Sequence, residues 1–150
     1  MLYFAYGANM DPDALASRGV TFTRVCNGKI RHMRLVFHKP GRDGTGKADL
    51  QDHRPSTVEG VVYDVPEKCL ANLDVHEGVD RGHYRRKHLK VQTSLGELEC
   101  AVYRATKFGT GLKPSDEYLA TLIRGAESHS LSSEYIAHLR SFSTMALPGP

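Results

Sequence analysis

The sequence predicts an α+β fold in which a mixed sheet curls toward a barrel, with helices near the chain ends and in one crossover. Three observations predict it. A short apolar run at the N-terminus stops at a glycine and leads into a capped helix. Segments with strand-like spacing dominate the middle of the chain. Two capped helical segments close it.

Leu2 to Tyr6 is apolar and aromatic and ends at Gly7, as a strand buried on both faces does. Asp11 then suits an N-cap, Pro12 suits the first helical turn, and Gly19 follows the last one. Val25 to His38 carries apolar residues spaced for one or two strands, with Asn27-Gly28 as a turn or bulge. Pro40 to Gly46 is a glycine-rich loop. Val58 to Val65 reads as a strand in which Gly60 marks a bulge or a close backbone contact.

Pro66 starts a helix that runs to His76, with Leu70 and Leu73 on one face and Gly78 placed to close it in a left-handed conformation. Tyr84–Thr93 and Glu97–Ala105 form a hairpin around Ser94-Leu95-Gly96. Ser115 caps a helix from about Asp116 to Ser128, whose Asp116 and Glu117 suit the positive end of its dipole. Ser132 caps a last helix to about Ser141, with Leu131 and Ile136 spaced as a hydrophobic staple. The tail from Ala146 to Pro150 is expected to fray.

A chain of 150 residues, 40% hydrophobic and 25% charged, suits one domain, 1–150, with a single buried core. The net charge of +3 is scattered, and its densest basic stretch, Arg81 to Lys90, reads as a solvated strand face rather than a nucleic-acid surface. Cys26, Cys69 and Cys100 are far apart and odd in number, which argues against a disulfide framework and for a reducing cytoplasm. The N-terminus lacks the basic flank and long apolar run of a signal peptide. No stretch approaches the ~18 apolar residues of a membrane helix.

Several chemistries lack their residues. Gly41 to Ala48 nearly matches a phosphate loop, but Ala48 stands where a Mg²⁺-binding hydroxyl belongs and no helical pattern follows, so a hairpin loop is the better reading. The eight histidines show no metal-ligand spacing. No serine sits in a nucleophile elbow. Two segments are more informative. Tyr6-Gly7-Ala8-Asn9 joins a strand to a capped helix, where backbone N–H groups converge on an anion or a carbonyl oxygen; the alternative is an ordinary tight turn. Glu77 stands at a helix end before Gly78, Gly82 and Tyr84. There it either faces a cavity, with burial raising its pKa into a range useful for a base, or lies on a surface turn.

Together these segments resemble the γ-glutamylcyclotransferase (AIG2-like) family. The opening Tyr3-Phe4-Ala5-Tyr6-Gly7-Ala8-Asn9-Met10 is similar to the family's first motif. Gly60-Val61-Val62-Tyr63, Leu73-Asp74, Glu77-Gly78-Val79, Gly82 and Tyr84 resemble its second block. Pro114-Ser115, Tyr118, Gly125-Ala126, Leu131 and Glu134-Tyr135 resemble its tail. The resemblance implies a small mixed β-barrel with flanking helices. It also implies a cofactor-free and metal-free lyase that cyclises a γ-glutamyl group to 5-oxoproline and releases an amine or amino acid, as in glutathione metabolism.

The family's acid/base carboxylate falls on Glu77. Its substrate cradle falls on Tyr3, Phe4, Ala5, Tyr6, Gly7 and Ala8, with Asn9 adjoining, and two cavity tyrosines fall on Tyr84 and Tyr118. The expected partner is a small γ-glutamyl compound, not nucleic acid or a membrane; homodimerisation is left open. The chain departs from the family at Ala8, where Ser is usual, and matches it poorly from Arg24 to Ser56. Those departures keep a second reading open, a non-catalytic pocket for an amino-acid-like ligand.

Overall fold

The computed structural model describes residues 1–148. Five strands, β1 (Leu2–Ala5), β2 (Thr23–Pro40), β3 (Gly46–Asp64), β4 (Tyr84–Thr93) and β5 (Gly96–Ala105), close into a barrel in the order β1-β3-β2-β4-β5. The sheet is mixed: β1 is antiparallel to β3 and parallel to β5, where Tyr3 meets Ala101. The other pairings are antiparallel. Closure removes the free edges that an open sheet would expose.

Four helices flank the barrel: α1 (Pro12–Ser17), α2 (Glu67–His76), α3 (Asp116–Ser128) and α4 (Ser133–Arg140). The expected caps form. Asp11, Ser115 and Ser132 each accept from a backbone N–H of the first turn. Leu70 and Leu73 of α2 and Leu122, Ala126 and Leu139 of α3 and α4 are fully buried. Burial of such side chains is worth about 1.5–3 kcal/mol each for the leucines. The three cysteines are buried and free. Among the described residues, no helix is long and apolar enough to cross a membrane. The expected frayed tail falls partly outside the described residues.

Two expectations need correction. Val25–His38 is part of one continuous 18-residue strand, and Asn27-Gly28 is no turn: both residues pair in register with Val61 and Gly60. The strand assigned to Val58–Val65 begins far earlier, at Gly46. The middle of this hairpin is a two-stranded ribbon whose Arg31, His32, Arg54 and Pro55 are exposed, whereas Leu35, Phe37, Ala48 and Leu50 nearer its turn are buried. A ribbon with so much of its surface in water needs little apolar alternation, so its polar residues concealed it. Gly28 and Gly60 sit opposite each other, Gly28 leaving room for the Val91 side chain and Gly60 for Phe4. A Cβ on Gly60 would lie 2.6 Å from the Phe4 ring and 2.4 Å from the Ala5 carbonyl oxygen. That close approach holds β1 in the barrel and fixes where its C-terminal end points.

Candidate active site

β1 delivers the chain to Tyr6 and Gly7, where it bends into a 3₁₀ turn at Ala8–Met10. The turn's ladder starts with Met10 N donating to Gly7 O and Asp11 N donating to Ala8 O. The first N–H groups of the turn, on Ala8 and Asn9, precede that ladder and have no acceptor within it. The turn is clamped from behind. Tyr63 Oη donates to Met10 O at 2.9 Å, and Arg124 meets the Asp11 carboxylate at 3.0–3.1 Å.

Glu77 arrives from the other end of the barrel connection. Its N–H donates to Leu73 O and closes α2, and Gly78 takes a left-handed φ of 66°. A Cβ there would also press on the His83 ring at 2.8 Å, so glycine is needed to turn the chain at this point. The helix therefore stops at Glu77 and leaves its partly buried side chain on the wall of a cavity of about 500 Å³. Tyr3, Tyr6, Gly7, Ala8 and Asn9 line the same cavity, as do Tyr84 and Tyr118.

The cavity groups are hydrogen-bonded in a definite sense. Asn9 Nδ2 donates to Tyr3 Oη at 3.0 Å and approaches Glu77 Oε1 at 3.4 Å, while Asn9 Oδ1 accepts from Arg18 Nε at 2.9 Å. Ala48 joins the two tyrosines. Its N–H donates to Tyr118 Oη at 3.1 Å, and its carbonyl accepts from Tyr84 Oη at 2.8 Å. Tyr84 has thus spent its proton on the backbone and offers lone pairs to a ligand. Tyr118 receives from the backbone and keeps its proton to donate. Burial raises the pKa of both hydroxyls, so both stay protonated.

Burial also pushes the Glu77 carboxyl up to about 7, against the opposing pull of Arg18, Lys39 and the Asn9 amide. A carboxyl poised there exchanges protons in both directions near neutral pH. Among the described residues, no group of three or more His, Cys, Asp or Glu is placed to hold a metal ion.

Two residues of the expected cradle do not line the cavity. Phe4 and Ala5 lie in the core, 0% and 1% exposed, with the Phe4 ring against Gly28 and Gly60. Conversely, sequence reasoning missed a whole wall. Lys39, Gly41, Arg42, Lys47 and Ala48 line the cavity, all from the region that matches the family poorly. The near-phosphate-loop spans the turn between β2 and β3 and the first residues of β3, and forms part of this wall. A signal was present for Lys39. Leu35 and Phe37 face the core, and strand alternation carries the next inward position to Lys39.

Comparison with known proteins agrees with this arrangement. The AIG2-like family profile matches residues 57–139. Bovine γ-glutamylcyclotransferase is 30% identical over 146 residues, covering 93% of this chain and 77% of the bovine protein. The chain belongs to the γ-glutamylcyclotransferase (AIG2-like) family. The human γ-glutamylcyclotransferase is also 30% identical, with the same coverage. A putative γ-glutamylcyclotransferase of Bacillus subtilis is 28% identical over 92% of this chain but only 50% of its own length.

Among solved structures, a γ-glutamyl cyclotransferase superposes with a TM-score of 0.92 at 27% identity, covering 100% of this chain and 92% of that one. The closed mixed barrel with its flanking helices is therefore the fold of the γ-glutamylcyclotransferase family.

Proposed function

We propose that this γ-glutamylcyclotransferase-family protein cyclises a γ-glutamyl compound to 5-oxoproline and releases the attached amine or amino acid. The observation that carries the reading is the meeting of Glu77 with the Gly7–Asn9 loop, on one cavity wall, through the Asn9 amide at 3.4 Å.

The substrate holds its own nucleophile, so the protein's first task is to curl the glutamyl chain until the α-nitrogen faces the side-chain carbonyl. Glu77, as carboxylate, takes a proton from the α-ammonium. The freed amine forms the new C–N bond and the carbonyl oxygen becomes an oxyanion. The free N–H groups at the start of the 3₁₀ turn and the Tyr118 hydroxyl supply donors for it. The oxyanion then collapses, the old C–N bond breaks, and Glu77 delivers its proton to the departing nitrogen. The second proton lost by the original ammonium follows the same route, so none is gained or lost overall. The three free thiols suit a reducing cytoplasm as the place of this reaction.

The test is 5-oxoproline release from γ-glutamyl amino acids, γ-glutamyl amines and glutathione. Glu77→Gln keeps the shape and removes the proton exchange, and should lower the rate by about 10²–10⁴. Saturable binding of these compounds without any turnover would replace the lyase with a binding pocket.

A further inference from the structure

Lys39 is 7% exposed, and it lines the same cavity as Glu77. Lysine at such depth is rare unless its charge is matched. Yet no ion pair among the described residues includes it. Its Nζ lies 5.4 Å from the centre of the Tyr84 ring, an attraction too weak to replace a counter-charge. Burial lowers its pKa, and although Glu77 favours its charge, Lys107, Lys47 and Arg42 oppose it.

Two of the neighbouring cavity cations are already engaged. Lys47 meets Asp43 at 3.1 Å and lies over the Tyr118 ring, and Arg18 is held by Asn9 and Ser17. Lys39 alone among these three presents an ammonium group to the cavity without a protein acceptor.

We propose that Lys39 is a substrate-positioning residue that binds a carboxylate of the γ-glutamyl compound. The proposal rests on the γ-glutamyl reading of the cavity. A γ-glutamyl amino acid carries two candidate groups, the α-carboxylate of the glutamyl part and the carboxylate of the leaving amino acid. The depth of Lys39 favours the first, because the glutamyl part must sit beside Glu77 while the leaving group points toward exposed Arg42 and Arg81 at the mouth. An α-carboxylate anchor has a chemical consequence. An N-terminal glutaminyl peptide could undergo the same ring closure, but its α-carboxyl group is tied up in an amide, so Lys39 would discriminate against it.

Three compounds separate the alternatives: γ-glutamyl-alanine, γ-glutamyl-ethylamide, which lacks the leaving-group carboxylate, and 4-aminobutanoyl-alanine, which lacks the α-carboxylate. Lactam formation is measured for the wild type, Lys39→Met and Lys39→Arg. The expected result is a KM raised roughly 10- to 100-fold by Lys39→Met for the first two compounds, the loss of a charged hydrogen bond. Its kcat should change little, kcat/KM for 4-aminobutanoyl-alanine should be unaltered, and Lys39→Arg should restore part of the loss. If the ethylamide is instead the insensitive compound, the anchored group is the leaving-group carboxylate and the anchor itself stands. Equal losses for all three compounds, or none, would overturn the proposal.

Should no compound turn over, the lyase reading fails and the anchor is judged by ligand-induced melting shifts with the same panel. A carboxylate-dependent shift that Lys39→Met abolishes supports it, and shifts unchanged by the substitution refute it. If Lys39→Met melts below the assay temperature, Lys39→Gln takes its place.

Discussion

Asn9 Nδ2 lies 3.4 Å from Glu77 Oε1, joining two residues 68 positions apart in the chain. The direction of this contact is set by Arg18. Its guanidinium Nε donates to Asn9 Oδ1 at 2.9 Å, which turns the Asn9 amino group toward Tyr3 and Glu77. Asn9 therefore favours the charged form of the carboxyl, against the burial that favours the neutral form.

Removing that amide has a signed consequence. Asn9→Ala should move the acid limb of the kcat/KM profile to higher pH, because the carboxylate loses a donor. At pH 7 the rate should fall roughly tenfold, the scale of one modest hydrogen bond. A pH–rate profile of the variant checks both effects. A limb that stays in place would show that the Asn9 contact does not influence the reacting group.

Glu77 itself links pH to rate and to stability in opposite senses. The proposed reaction needs the base form, so kcat/KM should rise with pH through about 7. For stability, the folded pKa of about 7 stands above the reference value of 4.5. The folded state thus holds the proton more tightly than the unfolded state. The stability this contributes is complete below about pH 4.5 and is lost as pH rises through 7. Glu77→Gln should accordingly match the wild type near pH 4 and exceed it at pH 8 by about 3 kcal/mol, at about 1.4 kcal/mol per unit. Urea unfolding of both proteins at the two pH values measures this. Equal stabilities at pH 8 would mean the carboxyl is solvated.

Tyr84 and Tyr118 line one cavity but should respond differently to loss of the hydroxyl. In either case a backbone group of buried Ala48 loses its partner, so Tyr84→Phe and Tyr118→Phe should each cost about 1–3 kcal/mol of stability. In the proposed reaction only Tyr118 has a proton left to donate to the oxyanion. Tyr118→Phe should therefore lower kcat by roughly 10²-fold, toward the low end for an oxyanion donor. Tyr84→Phe should act mainly on KM. Steady-state kinetics of the pair decide the matter, and equal kcat losses would contradict the assigned proton directions.

The sequence made the local punctuation legible. Asp11, Ser115 and Ser132 are short polar side chains whose capping geometry is decided within one turn, and Gly78 signals a left-handed residue wherever it stops a helix. That the Tyr6–Asn9 loop and Glu77 end at one cavity has a related basis in the sequence, since each sits at such a punctuation mark. The cavity's other wall was not. Its residues lie around the tip of a long hairpin, beyond the exposed middle stretch at Arg31-His32 and Arg54-Pro55 that interrupts the hydrophobic pattern. Ala48 contributes through backbone atoms, which leave no trace in residue identity. Phe4 and Ala5 were assigned to the cradle because they belong to a contiguous motif. That motif also encodes packing: the aromatic ring fits over two glycines from β2 and β3.

That packing gives the last prediction. Gly60 approaches β1 so closely that an added Cβ would stand 2.4 Å from Ala5 O and 2.6 Å from the Phe4 ring. Phe4 is 0% exposed and cannot swing into solvent, and Ala5 O belongs to a paired strand. Gly60→Ala must therefore push β1 away from β3, at an expected cost of about 2–3 kcal/mol for overpacking. Because β1 ends at the Tyr6-Gly7 loop, the same shift should displace the cradle's N–H groups and lower kcat. Gly82→Ala is the control. Its φ of 71° makes alanine strained by about 1 kcal/mol, but an added Cβ meets nothing within 4 Å. Denaturant unfolding and lactam formation measured on both variants should show the larger loss in each assay for Gly60→Ala. A Gly60→Ala protein as stable and active as the control would mean that β1 is not held by this contact.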